Sequence, residues 1–208
     1  MIRNRAEAGR LLASRLEQYS GKPDCMVVAL PRGGVVTGYE IAAKLHLPLD
    51  VLIVRKLGVP GQPELAMGAI ASGGVRILNQ DIVESLRISE EEIEAVAREE
   101  QRELERRERV YRGGREALSL AGRTVILADD GVATGATMSA AIAALRQISV
   151  GRIVVAVGVA PRDTVRRLQG EADEVVCLET PYPFQAISLW YETFPQTTDA
   201  EVRALLKI

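Results

Sequence analysis

The sequence is poor in residues that commonly bind metals. Its 208 residues include two cysteines and one histidine, and the cysteines form no CxxC pair. A zinc site needs a cluster of such ligands, so the composition argues against one. Cys25 and Cys177 each lie in an apolar run, and we expect both to be buried thiols. His46 lies between a predicted helix and a predicted strand, where we interpret it as structural.

The sequence also lacks an excess of positive charge and a long hydrophobic run. Its formal net charge is −2, whereas a general nucleic-acid binder carries a basic excess. Its apolar runs are much shorter than the ~20 residues that span a bilayer. Residues 1–16 have the pattern of an amphipathic helix and carry no signal-peptide cleavage signature. We therefore expect a cytoplasmic protein whose partners include neither nucleic acid nor a membrane.

Aromatic residues are scarce, at 4% of the chain, and they cluster. The stretch TPYPFQAISLWYETFPQT near the C-terminus contains both phenylalanines, the single tryptophan and two of the five tyrosines. It lies outside the pattern of strands and helices in the rest of the chain, which indicates a small separate cap. We place this cap at residues 181–198 and call it the hood.

The chain does contain a regular alternation of apolar runs and helical patterns. Five runs are rich in Val, Ile and Leu: residues 25–30, 49–55, 123–129, 151–160 and 175–179. None alternates cleanly between apolar and polar residues, which is typical of strands covered on both faces of a parallel sheet. Helical patterns follow the first, third and fourth runs, and Asp163 is the expected N-cap of the last one. The order predicts a single α/β domain, residues 1–208, with a mainly parallel sheet flanked by helices and a core at about residues 22–180.

Two segments interrupt this alternation. Residues 57–80 are rich in glycine and contain two prolines, which predicts a flexible loop or a hairpin with short extended pieces. Residues 89–112 predict a highly charged helical insertion that begins with a capping box of Ser89 and Glu92. Three pairs four residues apart support this helix: Glu94–Arg98, Glu103–Arg107 and Glu105–Arg109. We interpret it as a solvated helix that packs by one narrow stripe; a lid arm or a dimer contact is the alternative. A last helix, capped by Asp199, closes the chain.

The stretch VILADDGVATGAT, residues 125–137, places two adjacent aspartates at the end of the third apolar run. In an open α/β sheet, ligands bind at the carboxyl ends of the strands, where Asp129 and Asp130 would lie. The loop after them leads into a helix expected to begin near Met138, so its backbone N–H groups would form a phosphate site. The carboxylates would repel a phosphate, but they can accept hydrogen bonds from vicinal hydroxyls or help to hold a divalent cation. Phosphate and diol together indicate a ribose 5-phosphate. The alternative is a tight strand–helix turn with a capping aspartate.

This stretch resembles the signature that binds 5-phosphoribosyl 1-diphosphate (PRPP) in the type I phosphoribosyltransferases, and it lacks the spacing of a P-loop. Two further segments fit the same family. ALPRGGVVTG, residues 29–38, looks like its pyrophosphate loop, and Arg55 with Lys56 would face the same crevice from the end of the second run. The resemblance extends over about residues 25–190 and is closest to bacterial members of unassigned substrate.

The resemblance implies transfer of the phosphoribosyl group of PRPP to a nitrogen nucleophile, with Mg²⁺-dependent release of pyrophosphate. Asp129 and Asp130 would bind the ribose hydroxyls and, indirectly, Mg²⁺, and they would act in catalysis together with Arg32 and Lys56. The 5-phosphate would be bound by five loop residues: Ala133, Thr134, Gly135, Ala136 and Thr137. The diphosphate would be bound by a second group of five: Arg32, Gly33, Gly34, Arg55 and Lys56.

The acceptor is the part that the sequence leaves open. The hood resembles the segment that covers the base in purine phosphoribosyltransferases, so Phe184, Trp190 or Tyr191 could stack on a purine-like base; the alternative is that they only pack the cap. Arg162 is the nearest candidate for recognition of a base carbonyl. A homodimer is implied by the family alone. A non-catalytic regulator that binds PRPP or a nucleotide remains the alternative function, although glutamates interleave the one basic stretch at residues 102–115.

Overall fold

A parallel five-stranded sheet forms the centre of the computed structural model, which describes residues 1–116 and 119–207. Its strands are β1 (Cys25–Ala29), β2 (Leu49–Val51), β6 (Thr124–Asp129), β7 (Arg152–Val159) and β8 (Glu174–Glu179). They lie in the order β2-β1-β6-β7-β8, and every neighbouring pair is parallel. All of β1 is buried, and so is nearly all of β7. The prediction of a mainly parallel sheet covered on both faces is confirmed.

Helices cover both faces of this sheet. The α-helices of the described residues are α1 (Arg5–Arg15), α2 (Gly33–Leu45), α3 (Gln80–Ser85), α4 (Glu90–Arg112), α5 (Ala136–Gln147), α6 (Arg162–Glu171) and α7 (Asp199–Leu205). Leu12 of α1 and Ile41 of α2 belong to the core on one face, whereas Met138 of α5 and Leu168 of α6 belong to the core on the other. In this part of the chain, no helix combines the length and the apolar character needed to cross a membrane.

Two helices begin one or two residues away from the predicted caps. The N-cap of α6 is Pro161, and Asp163 lies in the first turn. The N-cap of α7 is Thr198, which forms a capping box with Glu201, so Asp199 is the first helical residue. Both aspartates still favour their helices, because a negative charge in the first turn interacts well with the helix dipole.

The second predicted strand, residues 49–55, divides between two sheets. Its first part is β2, which leaves the parallel sheet after Val51. Ile53 instead pairs with Ser72: its N–H donates to the Ser72 hydroxyl at 3.0 Å, and its carbonyl accepts from the Ser72 N–H at 2.9 Å. The chain then forms an antiparallel sheet of β3 (Val54–Val59), β4 (Gln62–Ala71) and β5 (Val75–Leu78). Most of the segment 57–80 therefore forms a hairpin sheet, which is one of the two predicted alternatives, and not an irregular loop.

The charged helix α4 packs against this antiparallel sheet. The capping box of Ser89 and Glu92 is present. One narrow stripe of α4 is buried: Ile93, Ala97, Leu104 and Tyr111. Of the predicted pairs, Glu103–Arg107 forms at 2.8 Å, whereas the Glu94 carboxylate pairs with Arg76 of β5 at 2.5 Å. Arg106 and Arg107 together lower the pKa of Glu103 to about 2.

The last turn of α4 is tied to the parallel sheet and to α7. Arg112 pairs with Asp50 of β2 at 2.7 Å, and both side chains are largely buried. The Tyr111 hydroxyl donates to Asp199 at 2.6 Å, and burial together with that carboxylate raises the pKa of Tyr111 to about 12. These contacts fix the far end of the helix to the edge of the central sheet.

The cysteines and the histidine are outside the group of residues predicted to form the site. Cys25 is buried in β1, as predicted. Cys177 in β8 is only partly buried, so the prediction of a buried thiol holds only in part for that residue. Burial raises the pKa of the Cys177 thiol to about 11. His46 terminates α2 in a left-handed conformation with φ of 54°, which agrees with a structural role.

Candidate active site

The two adjacent aspartates at the end of β6 have different surroundings. Asp129 lines a cavity that it shares with the loop that follows β6. Asp130 is buried, and its Oδ2 lies 2.5 Å from Nε of Arg5 in α1. The Asp130 N–H donates to Oδ1 of Asp129 at 2.8 Å, which holds the two groups in a fixed relation. Asp129 therefore borders the cavity, whereas the Asp130 carboxylate is paired with an arginine.

The environment of Asp129 favours its protonated form. Burial raises the pKa of this carboxyl well above its ordinary range, and the charge of Asp130 raises it further. The hydrogen bond from the Asp130 N–H and the charge of Arg5 act in the opposite direction. A group with a perturbed pKa in a cleft is typical of a functional site.

The loop after the aspartates and the first turn of α5 border one cavity, and we call residues 133–137 the cradle. Residues 131–138 and Asp129 line a cavity of about 200 Å³. The helix α5 starts at Ala136, two residues before the predicted start, and Gly135 is its N-cap with φ of 80°. The backbone N–H groups of the first helical turn have no partners within the helix, and the helix dipole favours a negative charge there. The five residues predicted to bind a 5-phosphate all line this one cavity.

The glycine pair of the predicted pyrophosphate loop lies directly against the aspartates. Gly33 and Gly34 are the first residues of α2. A Cβ atom on Gly34 would lie 2.8 Å from Oδ1 of Asp129, and one on Gly33 would overlap Oδ2 of Asp130. Only glycine permits this approach at both positions. Arg32, in contrast, extends towards α7, where its Nη1 lies 3.8 Å from Asp199.

Arg55 and Lys56 do not share one crevice, because they belong to β3 and not to the end of β2. Successive side chains of a strand point to opposite faces. Arg55 pairs with Glu100 of the charged helix α4 at 2.6 Å. The prediction that Arg55 lies beside a diphosphate is therefore corrected. Lys56 faces α5 and lines a small cavity with Ala136 and Thr137 of the cradle. Lys56 is thus the basic residue of the pair that the fold brings to the site.

The hood packs against the start of the chain and against the aspartates. The Ile2 N–H donates to the Trp190 carbonyl at 3.0 Å, and the Glu192 N–H donates to the Ile2 carbonyl at 2.9 Å. Ile187 lies against Gly131, since a Cβ on that glycine would be 2.6 Å from the Ile187 side chain.

The three predicted base-stacking aromatics differ in their surroundings. Tyr191 is 5% exposed, and its hydroxyl donates to the Asp130 carbonyl at 2.5 Å. Its ring contacts the Phe194 ring, with centroids 4.9 Å apart. Tyr191 therefore packs inside the hood, and the prediction that it stacks on a base is wrong. Phe184 and Trp190 are only partly buried and border the same apolar cluster. Burial of the phenol raises the pKa of Tyr191.

Three residues at the site were not predicted. Arg5 reaches Asp130 from α1, although nothing in the N-terminal pattern separates it from the other arginines there. Thr164 and Arg167 of α6 donate hydrogen bonds to carbonyl groups of the cradle loop. Arg162, the candidate for a base carbonyl, is the first residue of the same helix.

The donor set suits a cation that takes only part of its ligands from the protein. The described residues include no group of three or more His, Cys, Asp or Glu side chains placed to hold a metal. Mg²⁺ commonly keeps several waters and binds through one or two carboxylates together with substrate phosphates. Asp129, at the edge of the cradle, fits that requirement.

A parallel α/β sheet with an acidic pair beside a glycine loop and an anion cradle defines a protein of the phosphoribosyltransferase type. The family model of the phosphoribosyl transferase domain matches residues 3–191. The chain therefore belongs to the phosphoribosyl transferase family, a family of pentosyltransferases.

Relatives of this chain agree with the family. A Mycobacterium tuberculosis protein, provisionally named a phosphoribosyl transferase, is 50% identical over 203 residues, which are 98% of this chain and 46% of that protein. The chain thus spans about half the length of the curated relatives it matches. The crystal structure of TT1426 from Thermus thermophilus is 42% identical with a TM-score of 0.88, over 99% of this chain and 97% of that one. APRTase from Giardia lamblia, in complex with 9-deazaadenine, is 14% identical with a TM-score of 0.50, over 85% and 81% of the two chains, and shares the fold.

Proposed function

We propose that this chain transfers the phosphoribosyl group of PRPP to a nitrogen nucleophile and releases pyrophosphate. One observation carries the proposal: Asp129 lines the same cavity of about 200 Å³ as the small-residue loop at the start of α5. An anion cradle beside a carboxyl group is the arrangement that a sugar with a phosphate and a free diol requires.

Each part of PRPP has a proposed partner. The N–H groups of residues 133–137 bind the 5-phosphate, and Asp129 accepts hydrogen bonds from the ribose hydroxyls. Asp130 is paired with Arg5, and its N–H donates a hydrogen bond to Asp129, which orients the Asp129 carboxyl. The diphosphate lies over Gly33 and Gly34 at the start of α2, within reach of Lys56.

Arg32 is a further proposed diphosphate ligand. Its pairing with Asp199 is long, at 3.8 Å, and both side chains are substantially exposed, at 39% and 45%. An exposed ion pair of this kind contributes little free energy, so the guanidinium can leave it for a phosphate.

The chemistry proposed for the chain's own residues is charge stabilisation and positioning. Positive charge develops at C1 of the ribose as the bond to the diphosphate breaks, and Asp129, once ionised beside the bound ribose, would stabilise it. Lys56, Arg32 and the glycine N–H groups stabilise the departing diphosphate. When bound, Mg²⁺ would neutralise further charge on the leaving group, held indirectly, through ribose or water, by Asp129 and Asp130.

The hood is proposed to cover the acceptor. Ile187 lies against Gly131, next to the aspartates, so the hood borders the place where the acceptor would meet C1. Phe184 and Trp190 are the aromatic candidates for stacking on a purine-like base, and Arg162 remains a candidate for a base carbonyl. A closed hood would also exclude water, which competes with the nucleophile.

Calorimetric titration of PRPP, with and without Mg²⁺, tests the proposal. We expect Mg²⁺-dependent binding to the wild type and at least a tenfold loss of affinity in Asp129→Asn. The Asn side chain keeps the oxygen that accepts from the Asp130 N–H, so the fold is retained. Asp163→Asn is the matched control, because that carboxylate is 96% exposed on α6 and should leave PRPP affinity unchanged.

A pyrophosphate-release assay across nitrogen nucleophiles then separates an enzyme from a regulator. Turnover with one nucleophile class supports the transferase. Tight Mg²⁺–PRPP binding with no release for any nucleophile favours the alternative, a PRPP-binding regulatory protein. Absence of binding to a folded wild type overturns both. We also propose a cytoplasmic homodimer from the family resemblance, which analytical ultracentrifugation and cell fractionation can check.

A further inference from the structure

Two successive carbonyl groups of the cradle loop are held by side chains of the next helix. The Thr164 hydroxyl donates to the Ala133 carbonyl at 2.8 Å, and Nη2 of Arg167 donates to the Thr134 carbonyl. Thr164 and Arg167 are three residues apart on α6, so they lie on the same face of the helix. Thr164 is 6% exposed, which shields its hydrogen bond from water.

The geometry of the peptide bond turns these contacts into an orientation of the cradle. In a planar trans peptide, the C=O and the following N–H point in opposite directions. The Ala133 carbonyl shares its peptide with the Thr134 N–H, and the Thr134 carbonyl shares its peptide with the Gly135 N–H. Carbonyls held towards α6 therefore direct these two N–H groups away from α6. The residues that line the cavity come from the end of β6, the loop and the start of α5, and none comes from α6. The N–H groups directed away from α6 are therefore the ones that we assign to the cavity.

Gly135 is shaped to admit this clamp. A Cβ atom at this position would lie 2.9 Å from Cγ2 of Thr164 and would overlap Nη2 of Arg167. Gly135 also has a φ of 80°, which disfavours other residues. The same glycine thus starts α5 and leaves space for both side chains that hold the loop.

We propose that Thr164 and Arg167 are positioning residues that preset the N–H groups of the 5-phosphate cradle. Neither side chain lines the cavity, so both act through the peptides of residues 133–135. The Arg167 Nε lies 3.6 Å from Glu171, which keeps the guanidinium directed along α6. The inference rests on the proposed function, since it assigns the orientation of the site that binds the 5-phosphate.

The experiment measures the affinities of the two halves of PRPP separately. Wild type, Thr164→Val and Arg167→Met are titrated with ribose 5-phosphate and, independently, with Mg²⁺–pyrophosphate. We expect each substitution to weaken ribose 5-phosphate about three- to tenfold, the range for one hydrogen bond, and to leave pyrophosphate unchanged. Arg167→Lys should restore part of the affinity, because an ammonium can donate to the same carbonyl. Arg166→Met is the matched control, as that neighbouring side chain is 77% exposed and should change neither affinity.

The two titrations distinguish failure of the clamp from failure of the proposed function. A selective loss of ribose 5-phosphate affinity, in variants with an unchanged melting temperature, supports the clamp. Equal losses for both ligands, or no loss for either while the wild type binds both, overturn the clamp and leave the proposed function standing. If the folded wild type binds neither ribose 5-phosphate nor Mg²⁺–PRPP, the proposed function fails and the clamp fails with it.

Discussion

Arg5 and Asp130 lie 125 positions apart in the sequence and form an ion pair in which Nε is 2.5 Å from Oδ2. The side chains are only 10% and 11% exposed. The same guanidinium donates to the Pro195 carbonyl and lies 3.6 Å from the centroid of the Phe194 ring. One side chain therefore joins the first helix, the acidic pair and the hood.

Removal of Arg5 should destabilise the protein strongly. Arg5→Met leaves the buried Asp130 carboxylate without its counter-charge, which costs about 3–5 kcal/mol in comparable buried pairs. We expect a large fall in the free energy of unfolding, measured by urea denaturation. The double variant Arg5→Met/Asp130→Asn should recover part of the loss, since no unpaired charge remains.

Arg10→Met on the same helix is the control for that experiment. Arg10 is half exposed and lies 3.3 Å from Glu40, so its loss should cost at most about 1 kcal/mol. Equal effects of the two single substitutions would contradict the role assigned to the Arg5–Asp130 pair.

Asp129→Asn should stabilise the protein increasingly as the pH rises. The folded state holds the Asp129 proton more tightly than the unfolded chain, because its pKa is raised in the fold. The free energy of unfolding of the wild type therefore falls as pH rises from the unfolded pKa, near 4, through the raised folded pKa. Asparagine does not titrate, so the variant gains about 1.4 kcal/mol over the wild type for each unit by which the pKa is raised.

Thermal unfolding across pH 4 to pH 8 measures this difference, at about 2–4 °C for each kcal/mol. The variant that loses PRPP affinity would thus be the more stable protein at neutral pH. A constant difference in melting temperature across this range would show that Asp129 does not titrate as described.

Gly135→Ala should impair the cradle, whereas Gly170→Ala should not. Alanine at Gly135 adopts a strained positive φ and meets Thr164 and Arg167, so we expect a stability loss of about 1–3 kcal/mol and weaker ribose 5-phosphate binding. A Cβ atom on Gly170 in α6 would meet no atom within 4 Å, and alanine there should stabilise the helix by up to about 1 kcal/mol. Opposite signs of the two stability changes are the expected result; a stable Gly135→Ala with full affinity would contradict it.

Neighbouring substitutions in β3 should separate binding from stability. Lys56 lines a small cavity with Ala136 and Thr137, and its ammonium pairs with the fully exposed Glu64 at 3.5 Å. Lys56→Met removes this cation, so we expect Mg²⁺–pyrophosphate affinity to fall about tenfold with little change in melting temperature. Arg55→Met removes the pair with Glu100, so it should lower the melting temperature and leave pyrophosphate affinity unchanged. Titration and thermal unfolding of both variants check this, and a reversed pattern would place Arg55 at the site after all.

The central sheet and the cradle are predictable from the sequence because each rests on a local pattern. Strands buried on both faces give continuous apolar runs, and residues 125–137 carry the strand, the acids and the loop together. The exit of the chain after Val51 is not predictable in this way, because Leu52 and Ile53 are apolar and buried, and they continue the apolar run without a break. The caps of α6 and α7 differ from the predicted ones because an aspartate is favoured at the cap and in the first turn alike.

Contacts between distant segments leave no local signature. Arg5 and Asp130 are joined only by the packing of α1 beside the sheet, and the α1 sequence has other arginines of similar setting. Arg167 likewise stands beside Arg166 in the sequence, and only the fold shows which of them reaches the cradle. The separation of Arg55 from Lys56 follows from strand pleating once β3 is known, and not before.

The hood is attached to Asp130 at two points, through the Tyr191 hydroxyl on its carbonyl and through Arg5 on its carboxylate. A cover attached in this way is coupled to the end of β6. A displacement of residues 191–195 should therefore also shift Asp130 at the end of β6. Because the Asp130 N–H donates to the Asp129 carboxyl, Asp129 should shift with it. Substitutions in the hood that do not contact the acceptor should therefore change the affinity for ribose 5-phosphate.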